Sequence, residues 1–207
     1  ALSFVLLCGL FTLAAGAVGG VLAGDGSAET PYEIADAADL AAFRDLVNAT
    51  PSSTANAVLV ADIDLENQNW KRILPDSGYI TEAYAGTFDG AFHTIKGLNV
   101  NNVSAANQGL FGGIGLATVD GKTVTATIKN LNVEGSVTAS NNNVGGIVGQ
   151  VNAGSVFNCS FTVFVSSSKA KANIGGIVGY VNGDKPDKKP TVVISGCVNR
   201  ASVETKN

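Results

Sequence analysis

A chain of 207 residues with 45% hydrophobic side chains has enough apolar material for one continuous core. Only 14% of its residues are charged and the net charge is -4, which argues against nucleic-acid binding, because neutralising phosphates needs a basic face. The high hydrophobicity, the 25 glycines and the absence of Met suit an extracellular β-rich chain better than an acidic disordered one.

Residues 1–23 carry no charge and are long enough for a membrane-length helix, about 35 Å at roughly 1.5 Å per residue. Its apolar residues are Leu2, Phe4, Val5, Leu6, Leu7, Leu10, Phe11, Leu13, Val18, Val21 and Leu22, with Cys8 among them. The stretch resembles the N-terminal assembly helix of type IV pilin-like subunits, left starting at a residue such as Ala1 when a peptidase removes a basic leader. Val5 stands where bacterial pilins usually have Glu, as in archaeal-type pilins that do without it. The alternative is a signal peptide with a Val21-Leu22-Ala23 cleavage site, although the basic n-region is missing. A lipid anchor on Cys8 fits poorly, because Leu7 occupies the place of a small residue.

Residues 24–57 divide into a linker and a cap. Gly24 to Thr30 is a polar hinge of small residues. Asp36 is placed to cap a helix with Asp39 in its first turn and Leu40, Phe43, Leu46 and Val47 on one face, ending near Asn48 before Thr50-Pro51. A repeat stack needs its first layer shielded, and this helix is the candidate cap.

Residues 58–207 read as strands. Val58 to Leu65 alternates as a first strand, Trp70 and Ile73 are expected beneath the cap, and Pro75 to Ala85 reads as a loop. From Gly86 a repeated unit begins. Gly109-Leu110-Phe111-Gly112 returns as Gly146-Ile147-Val148-Gly149 and as Gly176-Ile177-Val178-Gly179, at spacings of 37 and 30 residues. Ile95-Lys96-Gly97-Leu98-Asn99-Val100 is echoed by Ile128-Lys129-Asn130-Leu131-Asn132-Val133, and Val156-Phe157-Asn158-Cys159 by Ile194-Ser195-Gly196-Cys197. Such a period marks a solenoid, in which each unit covers its apolar face with its neighbours. The expected fold is mainly β: a right-handed parallel β-helix with a capping helix and a separate N-terminal hydrophobic helix. Leu110, Phe111, Ile147, Val148, Ile177 and Val178 form its repeat core, and Leu98, Leu131, Cys159 and Cys197 share an inward column. Paired glycines supply corners, and Asn is expected to bond to its counterpart one layer away. The charged segment Asp184 to Pro190 is expected to project from a corner.

These repeats resemble the GLUG repeats of bacterial surface proteins, which also occur in the neighbourhood of immunoglobulin A protease-type peptidases. Pro31-Tyr32-Glu33-Ile34, Leu40, Ala61-Asp62-Ile63-Asp64-Leu65, Trp70 and Gly86-Thr87-Phe88-Asp89-Gly90 are similar to the module that precedes such repeats. The resemblance covers roughly Gly24 to Asn207 and concerns architecture more than activity.

Candidate chemistry is sparse. His93 has no second His for a metal pair or relay and is expected to be structural; Asp89-Gly90 is a turn. Asp62 and Asp64 lie on one side of a strand, as a calcium site would require, or serve the strand and its turns. Stacked layers about 4.8 Å apart bring Cys159 and Cys197 within disulfide range, the alternative being a column of buried thiols. A glycan-cleaving β-helix needs grouped carboxylates, yet only Asp120 and Glu134 are acidic between Gly97 and Ser168. The expected protein has no catalytic residues, metal or cofactor. It is a structural or adhesive cell-surface subunit that polymerises with its own copies after membrane contact, with glycans or proteins expected at the loops around Tyr79–Tyr84 or Lys185–Lys189. The alternatives are a secreted or anchored adhesin fragment with a signal peptide and, as a minor one, a carbohydrate-active β-helix enzyme.

Overall fold

The computed structural model describes residues 22–74, 80–101, 104–182 and 191–205. One α-helix, α1 (Ala37–Ala49), accompanies strands gathered mainly into three parallel sheets. The first sheet orders Tyr32–Ile34, Ala57–Leu59, Thr87–Asp89, Thr127–Lys129, Gly154–Phe157 and Val192–Ser195. The second runs from Ile63–Asp64 through Thr94–Asn101, Asn132–Ala139 and Ser160–Ser167, the last of which pairs with both Val198–Asn199 and Ser202–Thr205. The third holds Phe111–Ile114, Val148–Val151 and Val178–Val181. From Thr87 onward the chain passes from the first sheet to the second and then the third, and strands of these sheets pair in parallel with those of the preceding pass; Val144–Gly145 and Ile174–Gly175 form a further two-stranded parallel sheet.

Side-chain alternation explains how the strands face. In Thr127–Lys129, Ile128 is buried between two half-exposed neighbours, and Phe88 and Val156 lie beside it in register. In the second sheet the buried row Val100, Val137 and Val165 runs across three strands, and Val203 continues it in register as an exposed end. Burial of such rows at about 25 cal/mol per Å² is the main stabilising term.

Corners between the first and second sheets use left-handed backbone. Asn130 and Asn158 have φ of 52° and 52°, with Gly196 at 61° in the corresponding place of the next unit. Asn tolerates this conformation because its short side chain can bond locally. Here it bonds between layers: Asn158 Nδ2 donates to Asn130 Oδ1 (3.2 Å), and Asn130 Nδ2 to Asp89 Oδ1 (3.1 Å). A second column has Asn173 donating to Asn143 (2.9 Å) and Asn143 to Asn107 (2.8 Å), as expected of Asn one layer apart. Gly146 is required by close approach, since a Cβ there would sit 2.3 Å from the Phe161 ring and from the Gly176 carbonyl.

The cap forms as its sequence suggests. The Asp36 carboxylate accepts from the Ala38 and Asp39 amides, and Leu40, Phe43 and Val47 are fully buried. Phe43 meets Tyr84 at 6.0 Å and Phe88 at 5.7 Å between ring centroids, and Phe88 meets Phe111 at 5.3 Å. Asn48 ties the helix end to the chain beneath, donating to the Arg72 carbonyl (3.1 Å) and accepting from the Leu74 amide (2.7 Å).

Several expectations need correction. The first sheet begins at Tyr32, inside the segment assigned to linker and cap, because Tyr32–Ile34 pairs in parallel with Ala57–Leu59. The stretch Val58 to Leu65 is two strands in different sheets, Ala57–Leu59 and Ile63–Asp64. Leu98 leaves the expected column: it faces Gly135 after a register shift, whereas Asn132, Ser160 and Val198 align and put Leu131, Cys159 and Cys197 together. The phrases beginning Ile95 and Ile128 are not equivalent either, because Ile95 lies in the second sheet beside Val133 and Ile128 in the first. An antiparallel hairpin, Leu116–Val119 with Lys122–Thr125, interrupts the rotation through an Asp120-Gly121 turn. Of the apolar N-terminal stretch, residues 1–21 lie outside the described residues. Leu22 and Ala23 are not helical: Leu22 packs against the core and Ala23 bridges to Glu33. No helix among the described residues is long and apolar enough to cross a membrane.

Candidate functional site: a cleft beside the capping helix

The chain segment after Ile63–Asp64 turns sharply, with Glu66 and Asn67 both in left-handed conformation at φ 53° and 56°. Side-chain bonds hold this loop from behind, beside the Trp70 amide donating to the Asn99 carbonyl (2.7 Å). Asp64 Oδ1 accepts from the Glu66 amide (2.8 Å), Asn99 Nδ2 donates to the Asn67 carbonyl (2.9 Å), and Asn69 Oδ1 accepts from the Asn101 amide (3.2 Å). Between the loop and α1 lies a cleft of about 330 Å³, with Ala37, Ala41 and Leu65 as apolar lining and Arg44, Asp64, Glu66, Gln68 and Asn69 as polar lining. Trp70 closes its inner end at 5% exposure. Its Nε1 donates to the Leu110 carbonyl (3.2 Å), and the Arg44 guanidinium lies over its ring at 4.9 Å. The Arg44 Nε also donates to Asp45 Oδ1 (2.8 Å).

A second cleft, of about 250 Å³, opens on the outer face of the first sheet, between Ala28 of the hinge with the adjoining Pro31 and Val58, Thr87, Asp89 and Lys129. Lys129 Nζ stands 3.0 Å from Asp89 Oδ2. Burial would raise the Asp89 carboxyl, but the Ala91 amide, Lys129 and Asn130 outweigh it and hold it below the ordinary carboxylate range.

The residues singled out in sequence take structural positions. His93 Nδ1 is 3.2 Å from Asp62 Oδ1, which also accepts from the Thr94 amide (2.9 Å). That amide, then His93, holds the Asp62 carboxyl low; for Asp64 the Glu66 amide and Lys96 do the same, with Lys96 Nζ at 3.1 Å. Both acids therefore link neighbouring strands, and no group of three His, Cys, Asp or Glu side chains able to hold a metal assembles among the described residues. Cys159 and Cys197 are free thiols, the first buried with its Sγ 3.2 Å from the Phe157 carbonyl. Leu110, Phe111, Ile147 and Val148 are fully buried, whereas Val178, in the outer strand of its sheet, and Ile177, in the bend before it, are half-buried. Tyr84, expected in a binding loop, is fully buried and donates from Oη to the Ala55 carbonyl (2.8 Å); Tyr79 and Lys185–Lys189 lie outside the described residues. The cleft at Trp70 was missed by sequence reasoning. Its only local signal is the run Glu66-Asn67-Gln68-Asn69-Trp70, where polar planar side chains precede the single tryptophan.

Comparisons with known proteins agree with this architecture. The chain is 33% identical over 144 residues to halomucin of Haloquadratum walsbyi, which covers 67% of this chain and 1% of that protein. The chain thus spans about 1% of the length of the curated relative it matches. A crystal structure described as a "putative immunoglobulin A1 protease" from Bacteroides ovatus superposes with a TM-score of 0.51 at 19% identity, covering 88% of this chain and 79% of that one. At that identity the likeness concerns the fold alone. Residues 140–166, which run from the corner before Val144 through Cys159 into the second sheet, match the GLUG motif.

Proposed function

We propose that this chain is a non-enzymatic structural and adhesive module of a surface or extracellular protein, wound as a right-handed parallel β-helix and displayed on a pilus-like filament through its apolar N-terminal stretch. The observation that carries the reading is the passage of a repeated unit through three parallel sheets around a shared apolar core. Right-handed winding is the rule for parallel crossovers. The GLUG motif and the likeness to halomucin fit a surface or extracellular protein. Absence of catalysis is supported by the scarcity of carboxyls on the repeats: between Gly97 and Ser168 only Asp120 and Glu134 are acidic, whereas glycan cleavage needs a facing pair. The filament is supported by residues 1–23, whose burial at about 25 cal/mol per Å² favours association of many copies, and by the freedom of heterologous contacts to propagate without closing.

Replacement of Leu6 or Leu10 by Lys tests the display mechanism. Electron microscopy of the native host's surface material should show filaments with the parent chain and none with either variant, while the domain melts at the parent temperature. Filaments that survive both substitutions, or a natural product whose N-terminus is Gly24, would sink the filament. Turnover in a polysaccharide screen that one carboxylate substitution abolishes would overturn the non-enzymatic reading.

A further inference from the structure

We propose that the cleft between α1 and the Glu66–Asn69 loop binds a neutral sugar unit of a glycan. The site rests on the adhesive reading above and gives it a location and a ligand class. Sugar recognition needs planar polar groups fixed in position for hydroxyl pairs, beside an apolar surface that takes the C–H face of the ring. Glu66 and Gln68 supply the first: both are exposed, both line the cleft, and neither side chain has a hydrogen-bond partner among the described residues. The loop backbone is held by the Asp64 and Asn99 bonds and by the Gln68 amide donating to the Leu65 carbonyl (2.9 Å), so both side chains start from fixed positions and remain free to turn toward a ring's hydroxyls. Leu65, Ala37, Ala41 and the rim of Trp70 supply the second. A cleft of about 330 Å³ lies at the lower end of ligand-site volumes, about 300–1,000 Å³, which suits one or two rings.

The charges select among ligands. Asp64 and Glu66 disfavour a uronic acid, and the Arg44 cation is already shared between Asp45 and the Trp70 ring. A divalent cation finds only these two carboxylates, and Asp64 is bound to Lys96 and to the Glu66 amide.

Trp70 is the single tryptophan of the chain, so its fluorescence reports this cleft directly. The full chain would be titrated with neutral disaccharides (cellobiose, maltose, chitobiose, lactose), with digalacturonic acid, and with calcium chloride alone. A saturable emission change is expected with at least one neutral disaccharide and with neither of the other two. Gln68→Ala removes a reading group and Ala41→Phe fills the cleft from the helix side. Each should weaken binding by at least about tenfold at an unchanged melting temperature. Glu66→Gln, which keeps a hydroxyl acceptor, should retain binding better than Glu66→Ala. No saturable change with any neutral disaccharide, or a response to calcium or digalacturonic acid alone, overturns the proposal. Glycan retention by the intact surface material that is indifferent to Gln68→Ala and Ala41→Phe removes this site and leaves the adhesive reading standing.

Discussion

At the scale of single residues, Cys159 shows how stacking alters chemistry. Burial, with a smaller contribution from the neighbouring Cys197, pushes its thiol up to about 12, against about 8.5 in an unfolded chain. The folded state therefore holds the proton more tightly. Its contribution is intact below about pH 8.5 and is lost as pH rises toward 12, with a loss of about 2 kcal/mol expected by pH 10. Urea midpoints at pH 8 and pH 10 would check this: the drop should shrink in Cys159→Ala, and an identical drop in both proteins would contradict it. The stacking of Cys159 on Cys197 was legible because identical residues recur after similar β-branched runs. The exclusion of Leu98 from that column was not, since it follows from a register shift near Gly135, where a Cβ would lie 2.1 Å from the Leu98 carbonyl.

At the scale of elements, the helix was the most readable. A cap at Asp36, an apolar face of Leu40, Phe43 and Val47, and Thr50-Pro51 beyond the end are local signals, and each does its local task in the structure. Asp36→Ala should lower stability by about 1 kcal/mol, because two first-turn amides lose their acceptor. Thermal melts of the two proteins would measure it, and equal melting temperatures would show that the packed face alone holds the helix. Strands were readable as strands but not as members of particular sheets. Ile95-Lys96 and Ile128-Lys129 share residues because each alternates inward and outward, which any strand of a three-sheet coil does; only the intervening corners decide the sheet. The hairpin carried a signal in Asp120-Gly121 between alternating residues, a dipeptide suited to positive φ at both positions, here 48° and 74°.

For the whole molecule, stability should be graded along the stack. Ile147 is fully buried in the middle of the described coils, whereas Ile177 is half-buried one layer further out. Ile147→Asp should abolish cooperative folding, because an unpaired charge there has no route to water. Ile177→Asp should lower the melting temperature and leave a folded core, since its carboxylate can reach solvent. Circular dichroism melts separate the cases, and equal damage by both would mean that the coils unfold only as one unit. The period of the repeat made this arrangement readable from sequence. The cleft at Trp70 was not, because it joins residues from α1 with a loop some 25 positions away, and nothing in either segment specifies the distance between them.

The hairpin has a further consequence for the way such a chain can change. Gly121 at its tip has no atom within 4 Å of where a side chain would begin, and the strands on either side rejoin the stack at Gly115 and Ala126, where the Ala126 amide donates to the Gly115 carbonyl at 2.9 Å. The coil is thus sealed beneath the excursion. Whatever grows between Asp120 and Gly121 adds length without disturbing any layer, so lineages carrying this architecture are free to lengthen and diversify that tip while the scaffold stays constant.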